Sequence, residues 1–212
     1  MKTINRLGIA ALKSIAAKPI ATRDATRPTP SPNQYTPGTY SFRPLQSGYW
    51  KFVLWGGGAN GGASSWGGGS GAYCEKTVFL TTSQAVALNV GARASATTAT
   101  MPDGTIVSAG GAIGQSGGTA WGGDVNLNGS PGGSGSSSGA AGSGTGGGGG
   151  GSKDTNNGGA GAPANLPFRG GAGGTGSNTP DPGTSPGGGG GDAGSGAGVG
   201  GNGLAIVLFV RP

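Results

Sequence analysis

The sequence GGNGLAIVLFV, residues 200–210, joins a glycine-rich block to the most apolar segment of the chain. The block runs from Gly117 to Gly203 and holds more than two thirds of the chain's 54 glycines. It includes the uninterrupted runs Gly146–Gly151 and Gly187–Gly191. Residues 204–210 have the continuous apolar character of a buried strand. Because a flexible linker would not normally end in such a strand, this junction indicates that the block belongs to a folded domain.

The composition of the block is by itself typical of disorder, because glycine loses the most backbone freedom on folding and few side chains can be buried. The ordered alternative is a lattice of polyglycine II helices, the glycine form of polyproline II. Such helices have three residues per turn and no internal hydrogen bonds, so they can bond laterally to neighbours. Collagen is excluded, because residues 152–157 and 162–169 break any strict glycine period. The strands that bracket the block favour the lattice.

Outside the block, apolar and alternating segments bounded by turn residues predict strands. Residues 44–48 read as the turn of a first hairpin, and Pro102-Asp103-Gly104 as a second hairpin turn. The predicted strands are Thr39–Arg43, Tyr49–Trp55, Gly71–Leu80, Val86–Val90, Thr105–Ala109 and Leu204–Val210. The expected fold class is all-β: a small β-sandwich, from about residues 38–113 and 203–210, carrying a bundle of polyglycine II helices, with a short N-terminal α-helix.

Three regions are expected: an anchoring helix at 1–18, a Pro-rich connector at 19–37, and a glycine-rich domain at 38–212. The helix would place its apolar residues on one side, and they are the candidate anchoring residues: Ile4, Leu7, Ala11, Leu12 and Ile15. A signal peptide is the competing interpretation, but Lys13 interrupts the apolar stretch. A helix this short is marginal in water, so it needs a partner in a larger assembly or in another copy.

Most of the net charge of +6 lies in residues 1–28, and the rest of the chain is nearly neutral. The basic arm has no aromatic residues between its charges, so no nucleic-acid partner is predicted. With no histidine, and with Cys74 as the single cysteine, histidine-based catalytic and metal sites are excluded. Cys74 reads as a small buried residue. The carboxylates are scattered, so we predict no catalytic residue, no metal site and no cofactor.

The order of five segments resembles the glycine-rich domain of bacteriophage tail-fibre and tail-tip proteins, over roughly residues 37–211. The segments are GTYSF (38–42), WKFVLWGGG (50–58), GGGSGAYCEKTV (67–78), VALNVG (86–91) and GGDVNLNG (122–129). The layout is also similar to the glycine-rich extracellular domain of certain animal receptor kinases. The second resemblance implies a β-sandwich carrying polyglycine II helices. The tail-fibre adhesins also use such helices and place receptor contacts on loops between glycine motifs.

The resemblance implies a virion attachment protein, a tail-fibre or tail-tip adhesin that binds a bacterial surface protein or glycan. Its helix would bind other virion proteins without inserting into a membrane, and a homotrimer would be compatible with a fibre. The chain lacks a counterpart of the adhesins' N-terminal fibre-attachment region. Two alternatives remain open: a structural virion decoration or connector subunit without receptor binding, and a secreted bacterial glycine-rich surface protein.

Recognition would depend on the inserts that interrupt the glycines, because loops on a rigid scaffold commonly carry binding residues. The inserts are residues 153–157, 162–169 and 177–186. The candidate receptor-binding residues within them are Asn156, Asn157, Leu166, Phe168, Arg169, Asn178 and Asp181. The alternative is that the inserts are ordinary turns. Trp66 and Trp121 each precede two glycines, and we expect them to cover a glycine surface rather than to stack on sugars.

Overall fold

The computed structural model describes residues 33–62, 66–134, 139–140, 170–175, 181–193 and 196–212. All of them belong to one compact unit, Pro32–Pro212. The predicted N-terminal helix, with its candidate anchoring residues Ile4, Leu7, Ala11, Leu12 and Ile15, lies outside the described residues. Within the described part, no helix is long and apolar enough to cross a membrane.

Strands are the only regular elements in the described residues, as the sequence predicts. In chain order they are β1 (Asn33–Tyr35), β2 (Gly38–Phe42), β3 (Gly48–Trp55), β4 (Tyr73–Leu80), β5 (Val86–Val90), β6 (Thr97–Thr100), β7 (Ile106–Ala109), β8 (Ala120–Trp121), β9 (Val125–Leu127), β10 (Asp192–Ala193), β11 (Gly196–Ala197) and β12 (Leu204–Arg211).

Ten of these strands form two antiparallel five-stranded sheets. Sheet A has the order β1-β12-β3-β4-β9, and sheet B has the order β2-β5-β6-β7-β8. Strands β10 and β11 form a separate pair. The closing strand β12 lies between β1 and β3, which confirms the prediction of a buried final strand. Strand β3 therefore has β4, which follows it in the sequence, on one side and β12, from the end of the chain, on the other.

The core lies between the two sheets and explains the sequence alternation. Trp50, Phe52 and Leu54 on β3 point into it, and they meet Phe42 and Leu88 of sheet B. The Phe42 ring contacts the rings of Trp50 and Phe52 edge-on, with centroids 5.0 and 5.7 Å apart. Burying each such aromatic ring removes a large apolar area from water, worth roughly 2–3 kcal/mol a side chain. The all-β prediction with two packed sheets is thus confirmed.

The predicted hairpin of the first two strands is wrong. Strand β2 pairs with β5 in sheet B, whereas β3 pairs with β4 and β12 in sheet A. The connection after Phe42 therefore crosses from one sheet to the other. The physical reason is that β2 and β3 both carry large aromatic side chains, which bury more surface by facing each other across the core than by lying side by side.

Several short strands do not stand out in the sequence. Strand β1 lies at the end of the expected Pro-rich connector, where it pairs with β12. Strand β6 is built only from threonine and alanine, and β8 and β9 have three residues or fewer. By contrast, the turn at Pro102-Asp103-Gly104 joins β6 and β7 as an antiparallel pair, which confirms the prediction there. Gly104 has a φ of 86°, a conformation that suits glycine at a turn.

Candidate functional site

Two glycine segments that leave the sandwich early in the chain, residues 56–62 and 66–72, run antiparallel and bond to each other at every third residue. Gly56 N donates to Ala72 O at 3.0 Å, Ala59 N to Gly69 O at 3.0 Å, and Gly62 N to Trp66 O at 2.8 Å. An antiparallel β pair would place its bonds at every second residue instead. The period of three leaves the intervening residues free to bond in other directions.

The intervening residues do bond to other glycine segments, with the same spacing. The bonds are Gly58 N to Gly201 O, Gly61 N to Gly198 O, Gly68 N to Gly190 O, Gly71 N to Gly187 O, Gly67 N to Gly133 O and Ser70 N to Ser130 O, all at 2.8–2.9 Å. Residues 56–62, which lie outside the glycine-rich block in the sequence, therefore belong to the same bonded array as the block from Gly117 onward. We call this array, residues 56–62, 66–72, 110–118, 129–134, 170–175, 181–191 and 198–203, the glycine lattice.

At many glycines of the lattice there is no room for a side chain. A Cβ added to Gly71 would lie 2.0 Å from Gly56 O, and one added to Gly58 would lie 2.1 Å from Gly188 O. Real Cβ atoms do not approach a backbone oxygen this closely, and the backbone cannot move without breaking its bonds. Glycine is therefore required here for packing, in addition to any conformational preference.

Trp66 covers part of the glycine lattice, as expected. A Cβ added to Gly62 would lie 2.3 Å from the indole, and one added to Gly114 would lie 3.5 Å from it. Trp66 also forms an isolated β-bridge with Ser134. The indole thus rests on a surface that has no side chains of its own.

Trp121 does not follow that expectation. It lies on the edge strand β8 of sheet B, opposite Ser108, and 52% of its surface is exposed. Its carbonyl oxygen lies 3.7 Å from the Cys74 Sγ, on the core side. The indole is therefore available for contact with a partner.

Asp181 forms hydrogen bonds on both sides of the segment 176–180, at the glycine lattice. Its N–H donates to the Thr175 carbonyl at 3.2 Å, and the Thr175 hydroxyl donates to its carboxylate. Gly191 N in turn donates to Asp181 O at 3.0 Å. These bonds join the two ends of the segment 176–180, so the backbone of Asp181 is fixed while its side chain remains exposed. The other candidate receptor-binding residues lie outside the described residues: Asn156, Asn157, Leu166, Phe168, Arg169 and Asn178.

Cys74 is buried, as predicted, and its chemistry is that of a core residue. Its thiol donates to Asn126 Oδ1 at 3.2 Å. Burial raises the pKa of the thiol to about 11, which leaves very little thiolate at neutral pH. Tyr73, the preceding residue, has its pKa raised by burial and by its hydrogen bond to Glu75. Neither group is poised to act as a nucleophile.

The turn before β9 is held by its polar side chains. Asp124 accepts from Lys76 Nζ at 2.8 Å and from Thr77 N at 2.7 Å. Asn126 bonds to Gly123, and Asn128 Oδ1 accepts from Ala120 N at 3.0 Å. Burial of Asp124 favours its neutral form, but the Lys76 and Thr77 bonds outweigh it and lower the pKa. No cluster of metal-binding side chains occurs among the described residues.

No protein-family model matches this chain, and no curated protein matches it either. The candidate site therefore depends on the geometry of the glycine lattice and on the resemblance of residues 37–211.

Proposed function

We propose that this chain is a bacteriophage attachment protein, a tail-fibre or tail-tip adhesin that binds a receptor on the bacterial surface through loops of its glycine-rich block. The observation that carries the proposal is the glycine lattice itself. In the described residues it is a scaffold built mostly of glycine, and the side chains buried within it are small, as at Ala59, Ser70 and Ala112. A protein built this way presents chemistry only at its loops and outer faces.

The segments of the glycine lattice are, in this proposal, polyglycine II helices. Hydrogen bonds at every third residue, directed to different neighbours, support this, since three residues per turn and no internal bonds define such a helix. The close approach of the backbones supports it as well. A Cβ added to many of these glycines would lie about 2 Å from a neighbouring carbonyl oxygen, so only glycine allows such packing.

The loops at residues 153–157, 162–169 and 177–186 would contact the receptor. The bonds between Thr175 and Asp181 support this for the first part of the third loop, up to residue 180, because a segment whose ends are fixed loses less conformational entropy on binding. The receptor would be a bacterial surface protein or glycan. Residues 1–18 would bind other virion proteins, which would place the protein on the phage particle.

The test exchanges residues 162–169 and 177–180 for glycine and serine in a phage that carries the protein, and measures the adsorption rate. We expect adsorption to fall at least about tenfold, the effect of losing roughly 1.4 kcal/mol of binding free energy. A Leu45→Ser variant is the matched control. Leu45 is 89% exposed and lies far from these loops in the sequence.

Incorporation into particles must be measured for each variant by immunoblot. A phage lacking residues 1–28 calibrates this measurement, because we expect it to lose the protein from its particles. If the loop variant is fully incorporated and adsorbs at the wild-type rate with unchanged host range, these loops are not the receptor site.

A further inference from the structure

The outer face of sheet B carries a continuous row of paired residues that runs across all five strands. Trp121 lies opposite Ser108, which lies opposite Thr98, then Asn89, then Thr39. Directly opposite residues in antiparallel strands share a face of the sheet. At roughly 5 Å per strand, the row extends for about 20 Å.

The chemistry of this row is polar and uncharged. Asn89 and Thr39 are exposed, Thr98 is half-buried, and Ser108 is buried, at 4% exposure. Within the described part of the chain, the side chains of Thr39, Asn89 and Thr98 and the indole N–H of Trp121 form no hydrogen bond to another protein group. Their hydrogen-bonding capacity is therefore directed to whatever lies on this face.

A second row of paired residues lies beside the first on the same face. Its members, also linked by the strand register, are Ile106, Thr100, Ala87 and Ser41. Three of the four are small, so they leave room for a ligand above them. None of the residues in either row is ionisable.

The platform at the end of the first row is rigid. The backbone of Trp121 is paired with β7, and the neighbouring Ala120 N donates to Asn128 Oδ1 at 3.0 Å. On the other side, Gly123 N donates to Asn126 Oδ1 at 3.0 Å. Because the backbone is fixed, an exposed indole here loses only its own side-chain freedom when it contacts a ligand.

We propose that this face of sheet B binds a neutral glycan made of hexopyranose units, which lies across the strands. One sugar ring stacks its C–H face on Trp121, and the hydroxyl groups of the following rings bond to Thr98, Asn89 and Thr39. A glycan fits because it combines apolar ring faces with many hydroxyl groups and carries no charge. Neither row contains a cation to bind nucleic acid, and the face lacks the large apolar centre of a protein interface.

This site is separate from the loops of the glycine-rich block, and it does not depend on the proposed role in phage attachment. The test uses the purified full chain and titration calorimetry with cellohexaose, maltohexaose, mannohexaose and chitohexaose. We expect at least one of these oligosaccharides to bind, and Trp121→Ala to weaken that binding at least tenfold. Thr98→Val, which removes a hydroxyl at nearly constant volume, should weaken it several-fold.

Phe79→Ala is the matched control, because Phe79 is an aromatic residue of similar exposure, 49%, on sheet A. It should bind as the wild type does. Binding should also be unchanged when sodium chloride rises from about 0.05 to about 0.5 M, since no charged group contacts the ligand. Circular dichroism confirms that each variant is folded. The proposal is overturned if the wild type binds none of the four, or if Trp121→Ala binds as tightly as the wild type.

Discussion

At the scale of single residues, Gly71 shows how the glycine lattice restricts its sequence. Its N–H donates to Gly187 O at 2.8 Å, and an added Cβ would lie 2.0 Å from Gly56 O. The residue has no left-handed φ, so the demand for glycine comes from a close backbone approach rather than from its own conformation. Gly104 is the opposite case, with a φ of 86° and open space around it.

We therefore expect Gly71→Ala to lower the free energy of unfolding by about 3 kcal/mol, the cost of overpacking a site that cannot relax. Gly104→Ala should cost only about 1–2 kcal/mol, from its left-handed backbone. Urea denaturation measures both. Equal effects of the two substitutions would mean that crowding does not determine the choice of glycine in the lattice.

At the scale of elements, strand β4 connects the core to a network of ionisable groups. Its Cys74 and Tyr73 both have a raised pKa, so the folded chain holds these protons at pH values where the unfolded chain releases them. Glu75, next in the strand, accepts from Lys51 Nζ at 2.8 Å on β3 and from the Tyr73 hydroxyl. The strand is therefore sensitive to alkaline conditions.

The free energy of unfolding should fall as the pH rises above about 8.5, where an unfolded cysteine begins to ionise, and continue to fall to about pH 11. The slope from Cys74 is at most about 1.4 kcal/mol per pH unit. Urea denaturation at a series of pH values measures it. In the Cys74→Ala variant, the free energy of unfolding should not fall between about pH 8.5 and 10, a range below that in which Tyr73 contributes. A variant with the wild-type slope there would show that Cys74 is not the group responsible.

The elements also show how far sequence reasoning reaches. Strands β3, β4, β5 and β12 were predictable, because long alternating or apolar runs identify a strand by themselves. The pairing of these strands was not predictable, because the strand that lies beside β3 depends on how Phe42 packs across the core. Strand β6, made of threonine and alanine, owes its place to its neighbours β5 and β7 rather than to any pattern of its own.

The same limit applies to the candidate sites. It was predictable that the backbone groups of the glycines would form hydrogen bonds to other segments, because buried N–H and C=O groups must be bonded. The inclusion of residues 56–62 in one lattice with residues 187–201 was not, because glycines carry no side chains that indicate their neighbours. The sequence identifies Trp121 as a candidate, but its exposure to a partner follows from its position on an edge strand, which is known only from its pairing with Ser108.

At the scale of the whole molecule, the chain combines a sandwich of two sheets with the glycine lattice, whose segments leave sheet A at Trp55 and rejoin it at Tyr73 and at Leu204. The sandwich is stabilised by aromatic and aliphatic side chains, and the lattice by backbone hydrogen bonds. This division leaves loops and outer faces as the places for recognition. It supports the proposed role of the chain as an adhesin, whose scaffold is chemically inert.

The most direct test of that role is competition for adsorption. Purified full-length protein is added to bacteria of the host before the phage that carries it, and the adsorption rate is measured against protein concentration. We expect the protein to occupy the receptor and to slow adsorption in a saturable manner, while the loop variant does not. Adsorption at the uninhibited rate in the presence of excess folded protein would contradict the proposal that this chain binds the receptor.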